Sequence, residues 1–195
     1  MEKVNAKGQT LEQFLAAYNP NKYRKPGVTA DCVIFCGRQV LMVRRGNHPY
    51  IGELAFPGGF AEAGESTEST AARELLEETG ATGVPMRQFY TASTPGRDPR
   101  DWTVSVCYTA TLDEKPDVKG GDDAAHAAWY TVTVSAQGSR VTLSLTGDDG
   151  SESVELCVVR DAFGKVDVNA TKVIGSGIAF DHAKILLRAL EERAQ

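Results

Sequence analysis

The chain of 195 residues contains only three histidines, His48, His126 and His182, and they are not spaced as the ligands of one metal ion. Its four cysteines, Cys32, Cys36, Cys107 and Cys157, form no CxxC pair. Cys32 and Cys36 stand at even spacing in VTADCVIFCG, a strand pattern. They therefore share a face and read as small core hydrophobes rather than a disulfide or a zinc site. No apolar run approaches membrane-spanning length, and the opening MEKVNAKGQTLEQ lacks the apolar core of a signal peptide. A soluble, cytoplasmic protein with no membrane contact is the expectation. Basic blocks are also missing. A net charge of −5 disfavours a nucleic-acid-binding face, which works by neutralising phosphates with lysine and arginine.

What is present is enough apolar material for a core, 42% of residues, in a length that suits one domain. Thr10 to Tyr18 reads as a short amphipathic helix capped by Thr10 and stopped before Pro20. Val28 to Cys36 and Val40 to Arg44 read as strands joined at Gly37-Arg38. Gly46 to Phe56, with Pro49 and Gly52, reads as a loop. Met86 to Ala92, Thr103 to Leu112 and a short segment from Ala128 to Val134 read as strands separated by loops. Arg140 to Thr146 and Ser153 to Val159 read as a hairpin around Gly147-Asp148-Asp149-Gly150. Ile178 to Arg193 carries a helical stripe of Ala179, Ala183, Leu186, Leu187 and Leu190. Strands with a few helices between them predict layered α/β or α+β architecture.

The segment Gly58 to Ala81, GGFAEAGESTESTAARELLEETGA, concentrates carboxylates on one glycine-bounded helix. On a helix from Ser66 to Thr79, Glu74, Glu77 and Glu78 stand at i, i+3 and i+4 and share a face. Ala72, Leu75, Leu76 and Thr79 fall opposite, and Gly80 occupies the left-handed cap position. Like charges at this spacing repel. Arg73 reaches Glu77 at i+4 but cannot balance the cluster alone. Clustered hard oxygen donors are what Mg²⁺ or Mn²⁺ binds, generally together with substrate phosphates.

The same stretch resembles the Nudix box: Gly, five residues, Glu, seven residues, Arg-Glu, an aliphatic, any residue, Glu-Glu, any residue, Gly, an aliphatic. Gly59, Glu65, Arg73, Glu74, Leu75, Glu77, Glu78 and Gly80 match in register, and Ala81 is smaller than the usual last aliphatic. Seven specified positions coincide by chance on the order of once in 10⁸–10⁹ windows. LAFPGGF is similar to the family's approach to the box. GRDPRDWTVSVCY and GGDDAAHAAWY resemble the subgroup of ADP-ribose pyrophosphatases and the NAD-pathway regulators related to them. The likeness covers roughly residues 28 to 134, with an echo in FDHAKILLRALE.

The resemblance implies an α/β/α sandwich with a mixed central sheet. It also implies that residues 1–195 are one domain: a core of about 28–134, then a C-terminal hairpin and helix over 138–195. It implies hydrolysis of a nucleoside diphosphate linked to another moiety, with ADP-ribose giving AMP and ribose 5-phosphate as the favoured case. Nucleoside triphosphates, NADH, dinucleoside polyphosphates and nucleotide sugars are the alternative substrates, and a ligand-sensing transcriptional regulator is the alternative class. Glu74, Glu77, Glu78 and the carbonyl of Gly59 would hold Mg²⁺ or Mn²⁺. Arg73 would orient a glutamate, and Glu65 would act through water or as a cap. The general base is open between Glu74 and a loop carrying Asp122 and Asp123. Arg44, Arg45, Arg97 and Arg100 are phosphate-binding candidates, with Arg45, Arg97 and Arg100 favoured because they adjoin loops expected to face the box, and Asp98 to orient one of them. Phe89, Tyr90, Trp102 and Tyr108 are aromatics that can stack a base or fill the core. All three histidines read as structural. A homodimer is the expected assembly.

Overall fold

The computed structural model describes residues 3–120 and 124–193. A single mixed sheet organises them. Strand β1 (Gly27–Cys36) pairs antiparallel with β2 (Gln39–Arg45) through the tight turn at Gly37-Arg38. Two short strands follow: β3 (Leu54–Ala55) adds to β2, and β4 (Gly58–Phe60) adds to β1. Helix α2 (Thr67–Thr79) comes next, preceded near the N-terminus by α1 (Leu11–Ala17). Strands β5 (Arg87–Ala92) and β6 (Thr103–Leu112) form a hairpin, and β6 lies parallel to β1 from Gly27↔Thr103 to Cys36↔Leu112. Strand β7 (Ala124–Gln137) returns to the other side of β2. Strands β8 (Arg140–Gly147), β9 (Gly150–Cys157) and β10 (Lys172–Ile174) continue the sheet outward, and α3 (His182–Arg193) ends the described chain. The strand order is β10-β9-β8-β7-β2-β1-β6-β5, with β1 and β6 its parallel pair.

The run VTADCVIFC is apolar on both sides because both faces of β1 are covered. Its residues alternate between layers, as the two-residue period of a strand requires. Cys32 and Ile34 pack with Ala71 and Leu75 of α2. Val33 and Phe35 face the other cluster, with Ile185 and Leu186 of α3 and Leu143 and Leu156 of β8 and β9. A helix thus lies on each face of the mixed sheet, the expected α/β/α arrangement. The four cysteines are free thiols.

Several boundaries differ from the sequence reading. Strand β7 is 14 residues long, twice the expected span, because β2 and β8 both extend along it. β3, β4 and β10 have two or three residues each, too few for a period. Residues 178–181 do not belong to the last helix. Ile178 forms a parallel bridge with Leu54, and Phe180 has a left-handed backbone at φ 55°. On α2 the buried side chains are Thr70, Ala71, Leu75 and Thr79, whereas Ala72 is exposed and Leu76 is 47% exposed. The inward face is thus rotated by about one residue from the expected one.

Leu186 is fully buried against strands from both halves of the sheet. Leu186→Ala is expected to cost about 2–5 kcal/mol in urea denaturation, by lost transfer energy plus a cavity. A loss below about 1 kcal/mol would show that α3 is not part of this core.

Candidate active site

The loop that feeds α2 needs its two glycines for different reasons. Gly58 has φ 154°, and a Cβ there would sit 2.2 Å from the carbonyl oxygen of Ala30. At Gly59 a Cβ would meet the Glu74 carboxylate at 2.5 Å. The chain can therefore lie against β1 and the acidic helix only without side chains at these positions. Ser66 caps α2, its side chain accepting from the Ser69 amide, and Gly80 closes it in the left-handed conformation at φ 75°.

On the exposed side of α2, Arg73 gathers the carboxylates. Its Nε donates to Glu65 Oε1 at 2.8 Å and its Nη2 to Glu65 Oε2 at 3.0 Å. Nη1 donates to Glu74 at 2.8 Å and Glu77 at 2.9 Å, and Nη2 also reaches the carbonyl of Phe60 at 3.0 Å. Glu65 further accepts from the Glu62 amide and the Thr70 hydroxyl, so it is tied into the loop before the helix. Bonds from Arg73 hold its carboxyl down to about 2. Glu78 stands apart, accepting only the Gly58 amide at 2.9 Å among the described bonds. Burial pushes its carboxyl up to about 7, and Glu74 is raised for the same reason.

Arg73, Glu74, Glu77 and Glu78 line one cavity of about 500 Å³, and Glu65 stands behind Arg73 outside its lining. Its walls include Gly59, Glu74, Glu77 and Glu78 on one side, and Arg45, Arg97, Asp98 and Arg100 on the others. The arginines are held differently. Arg97 is buried in a two-pronged pair with Asp181, at 2.7 and 3.0 Å. Arg100 is half exposed, held by Asp98 at 2.7 Å, and Asp98 also accepts the Arg100 amide. Arg45 Nε donates to the Pro49 carbonyl at 2.7 Å. The neighbouring Arg44 points elsewhere, to Asp149 and Glu152 at the β8–β9 hairpin. Asp122 and Asp123 lie outside the described residues.

Sequence reasoning missed several cavity residues. Asp31 is a buried carboxylate in the middle of β1, accepting a hydrogen bond from Ser105. Its signal was available: a lone acid inside an apolar strand. His182 also lines the cavity. Its Nδ1 accepts the Phe56 amide at 3.0 Å, so the proton is on Nε2, 3.8 Å from Asp31. Burial lowers its pKa, keeping the ring neutral. Phe60 and Phe180 line the space too, whereas Phe89, Tyr90, Trp102 and Tyr108 do not.

The donor set suits a hard divalent cation: three glutamates and a backbone carbonyl, all oxygen, two of the carboxyls with raised pKa. The Thr29 hydroxyl is also buried in the cavity wall without a hydrogen-bond partner among the described residues. Such an orphan group is what a bound molecule can satisfy. As they stand, the carboxylates are held by Arg73 and Gly58. No three His, Cys, Asp or Glu side chains converge on one point among the described residues. One oxygen each of Glu74, Glu77 and Glu78 accepts no described bond, so binding a cation here requires these side chains to turn toward a common point.

A glycine-fed acidic helix thus opens on a cavity walled by arginines, carried on an α/β/α sheet. The NUDIX domain profile matches residues 25–141, more than half of the sequence, and the chain belongs to that family. It is 35% identical over 108 residues to an ADP-ribose pyrophosphatase of Methanocaldococcus jannaschii, covering 55% of this chain and 63% of the relative. It is 34% identical over 127 residues to an ADPR-responsive transcriptional repressor, NtrR, of Acinetobacter baylyi, covering 62% of this chain and 51% of the relative. The chain thus spans between half and two thirds of these curated relatives. Its fold matches the NUDIX domain of Shewanella oneidensis NrtR, crystallised with ADP-ribose, with TM-score 0.67 and 26% identity. That match covers 96% of this chain and all of the other. No described helix is long and apolar enough to cross a membrane.

Glu78 gives a pH test in chelator-treated protein. Its folded pKa of about 7 lies above the ordinary 4.5, so the native state binds the proton more tightly than the unfolded chain. Stability should therefore fall as pH rises from about 4.5 toward 7 and level off above. With solvent on the cavity side, the loss should be about 1–2 kcal/mol. Glu78→Gln should flatten this part of the profile. A variant with the wild-type slope would show that Glu78 is not the group responsible.

Proposed function

We propose that the protein hydrolyses the diphosphate of a nucleoside diphosphate linked to a second moiety, with ADP-ribose as substrate and AMP and ribose 5-phosphate as products. The observation that carries this reading is that the acidic face of α2 and the guanidinium groups of Arg45 and Arg100 line one and the same cavity. A diphosphate has two requirements that these walls meet. Its charge needs guanidinium forks, and cleavage needs activation of water at an acidic, cation-holding surface.

Glu74, Glu77, Glu78 and the Gly59 carbonyl would hold Mg²⁺ or Mn²⁺. The cation, when bound, supplies charge neutralisation on phosphate oxygens and a water of lowered pKa. Arg73 keeps Glu65, Glu74 and Glu77 in place. Arg100, braced by Asp98, and Arg45 bind phosphate oxygens. Arg97 is buried against Asp181, so it anchors the Arg97-Asp98-Pro99-Arg100 loop, its charge compensated by Asp181 and the nearby Asp31. Asp98 acts through Arg100. Glu74, half-buried beside Gly59, is the general-base candidate among the described residues, with Asp122 and Asp123 as the loop alternative.

A second reading is favoured by the likeness to the ADPR-responsive repressor. The same cavity would then bind ADP-ribose as a signal. The two readings part on turnover. Incubation with ADP-ribose and Mg²⁺ should release AMP, and Glu77→Gln or Glu78→Gln should lower kcat by at least about a hundredfold with the fold intact. Tight ADP-ribose binding with no AMP released would favour the sensor. AMP release by the glutamine variants at the wild-type rate would refute the role of the helix. Mg²⁺ should also raise the melting temperature of the wild type more than that of Glu78→Gln. The homodimer proposed from the family likeness should appear as twice the monomer mass in light scattering.

A further inference from the structure

Among the described residues, two that are not glycine have positive φ: Tyr50 at 64° and Phe180 at 55°. Both are aromatic, and their rings touch edge to face with centroids 4.8 Å apart. Bulky residues in the left-handed region carry strain, which persists only where the surroundings fix the conformation. The surroundings of Phe180 do so. The amide of Ala179 donates to the Leu54 carbonyl at 2.8 Å, and the Leu54 amide donates to Gly177 at 2.9 Å. On the other side, Asp181 is clamped to the buried Arg97.

The strained turn places the Phe180 ring in the cavity wall. There it meets two guanidinium groups that reach it from distant parts of the chain. Arg45, at the end of β2, has its guanidinium carbon 5.0 Å from the ring centre. Arg100, from the loop before β6, lies at 5.7 Å and is also 5.2 Å from the ring of Phe60. Both distances are within the range of a cation–π contact. A cation–π contact uses none of the guanidinium N–H groups as a hydrogen-bond donor to oxygen, so it leaves them for other acceptors.

We propose that Phe180 is a positioning residue of this site. Its ring is the shared cation–π partner of Arg45 and Arg100, so that both guanidinium groups are set in advance for the phosphate oxygens of a diphosphate ligand. A side chain that only filled space beside Val43 and Ala179 would have no need of an aromatic face or of a left-handed backbone. Long side chains immobilised on binding cost affinity, and prior ordering avoids that cost. The inference rests on the reading of the cavity as a diphosphate site, and its test separates the two.

The variants are Phe180→Leu, which keeps bulk, Phe180→Tyr, which keeps the ring face, and Phe180→Gly, which relieves the backbone while removing the ring. The first readout needs no substrate. The side-chain Nε–H resonances of Arg45 and Arg100 should carry ring-current shifts; in Phe180→Leu that of Arg45 should vanish and that of Arg100 should shrink to the part due to Phe60, and both should persist in Phe180→Tyr. In the second, KM for ADP-ribose with Mg²⁺ should rise about tenfold in Phe180→Leu and Phe180→Gly, with kcat within about twofold, and return close to wild type in Phe180→Tyr. Phe180→Leu combined with Arg100→Ala should raise KM by clearly less than the product of the single effects, because both remove one contact. Unshifted arginine resonances in Phe180→Leu, an unchanged KM, or fully multiplicative effects would overturn the proposal. If the wild type neither binds nor cleaves ADP-ribose, the diphosphate reading fails. The resonances and the affinity for inorganic pyrophosphate, measured by calorimetry across the same variants, then decide the role of Phe180.

Discussion

One guanidinium organises the acidic side of this molecule. Arg73 has five N–H bonds and five acceptors for them: both oxygens of Glu65, one each of Glu74 and Glu77, and the carbonyl of Phe60. Without it, the carboxylates of the helix and of the loop before it would repel one another at close range. With it, the turn from β4 into α2 is fixed relative to the helix, and Glu74 is held over Gly59. The glycine pair follows from the same constraint, since a side chain at Gly59 would occupy the space of Glu74. Glu78 is left outside this arrangement, on the cavity side, with its charge poorly compensated. The helix is therefore stabilised on one flank and left receptive to positive charge on the other.

The opposite wall depends on the C-terminal part of the chain. The buried Arg97–Asp181 pair joins the loop before β6 to the turn before α3. Beneath it, Asp31, Ser105 and His182 form a polar layer between the sheet and the helix. Breaking such a pair from one side leaves a buried charge without a partner, so loop and turn are expected to keep their places together. Residues separated by more than a hundred positions thus build a single cavity, and α3 does more than cover the sheet.

Much of the acidic wall was legible in the sequence because its chemistry is local. The spacing of Glu74, Glu77 and Glu78 follows from helix geometry alone, and the glycines mark the ends of the segment. The pairing of Arg73 with Glu77 was likewise a matter of i+4 spacing. The arginine wall was only half legible. Arg45 and Arg100 line the cavity, but nothing local reveals that Arg97 turns inward to Asp181 or that Arg44 leaves for the β8–β9 hairpin. Strands β3, β4 and β10 are too short to show a period. Residues 178–181 continue the apolar stripe of α3, so periodicity extended the helix through them. Tertiary pairing with Leu54 and a left-handed Phe180 stop it instead. Asp31 was visible as an acid in an apolar strand, while the placement of His182 depends on contacts across the whole fold.

The central claim is that the acidic helix and the arginine wall act on the two sides of one diphosphate. A crystal structure of Glu77→Gln, slowed in turnover and soaked with ADP-ribose and Mn²⁺, tests it most directly. The account requires anomalous density for Mn²⁺ at about 2.0–2.3 Å from oxygens of Glu74 or Glu78, with the diphosphate between that density and the guanidinium groups of Arg45 and Arg100. Manganese absent from the helix, or a diphosphate lying outside this cavity, would contradict it.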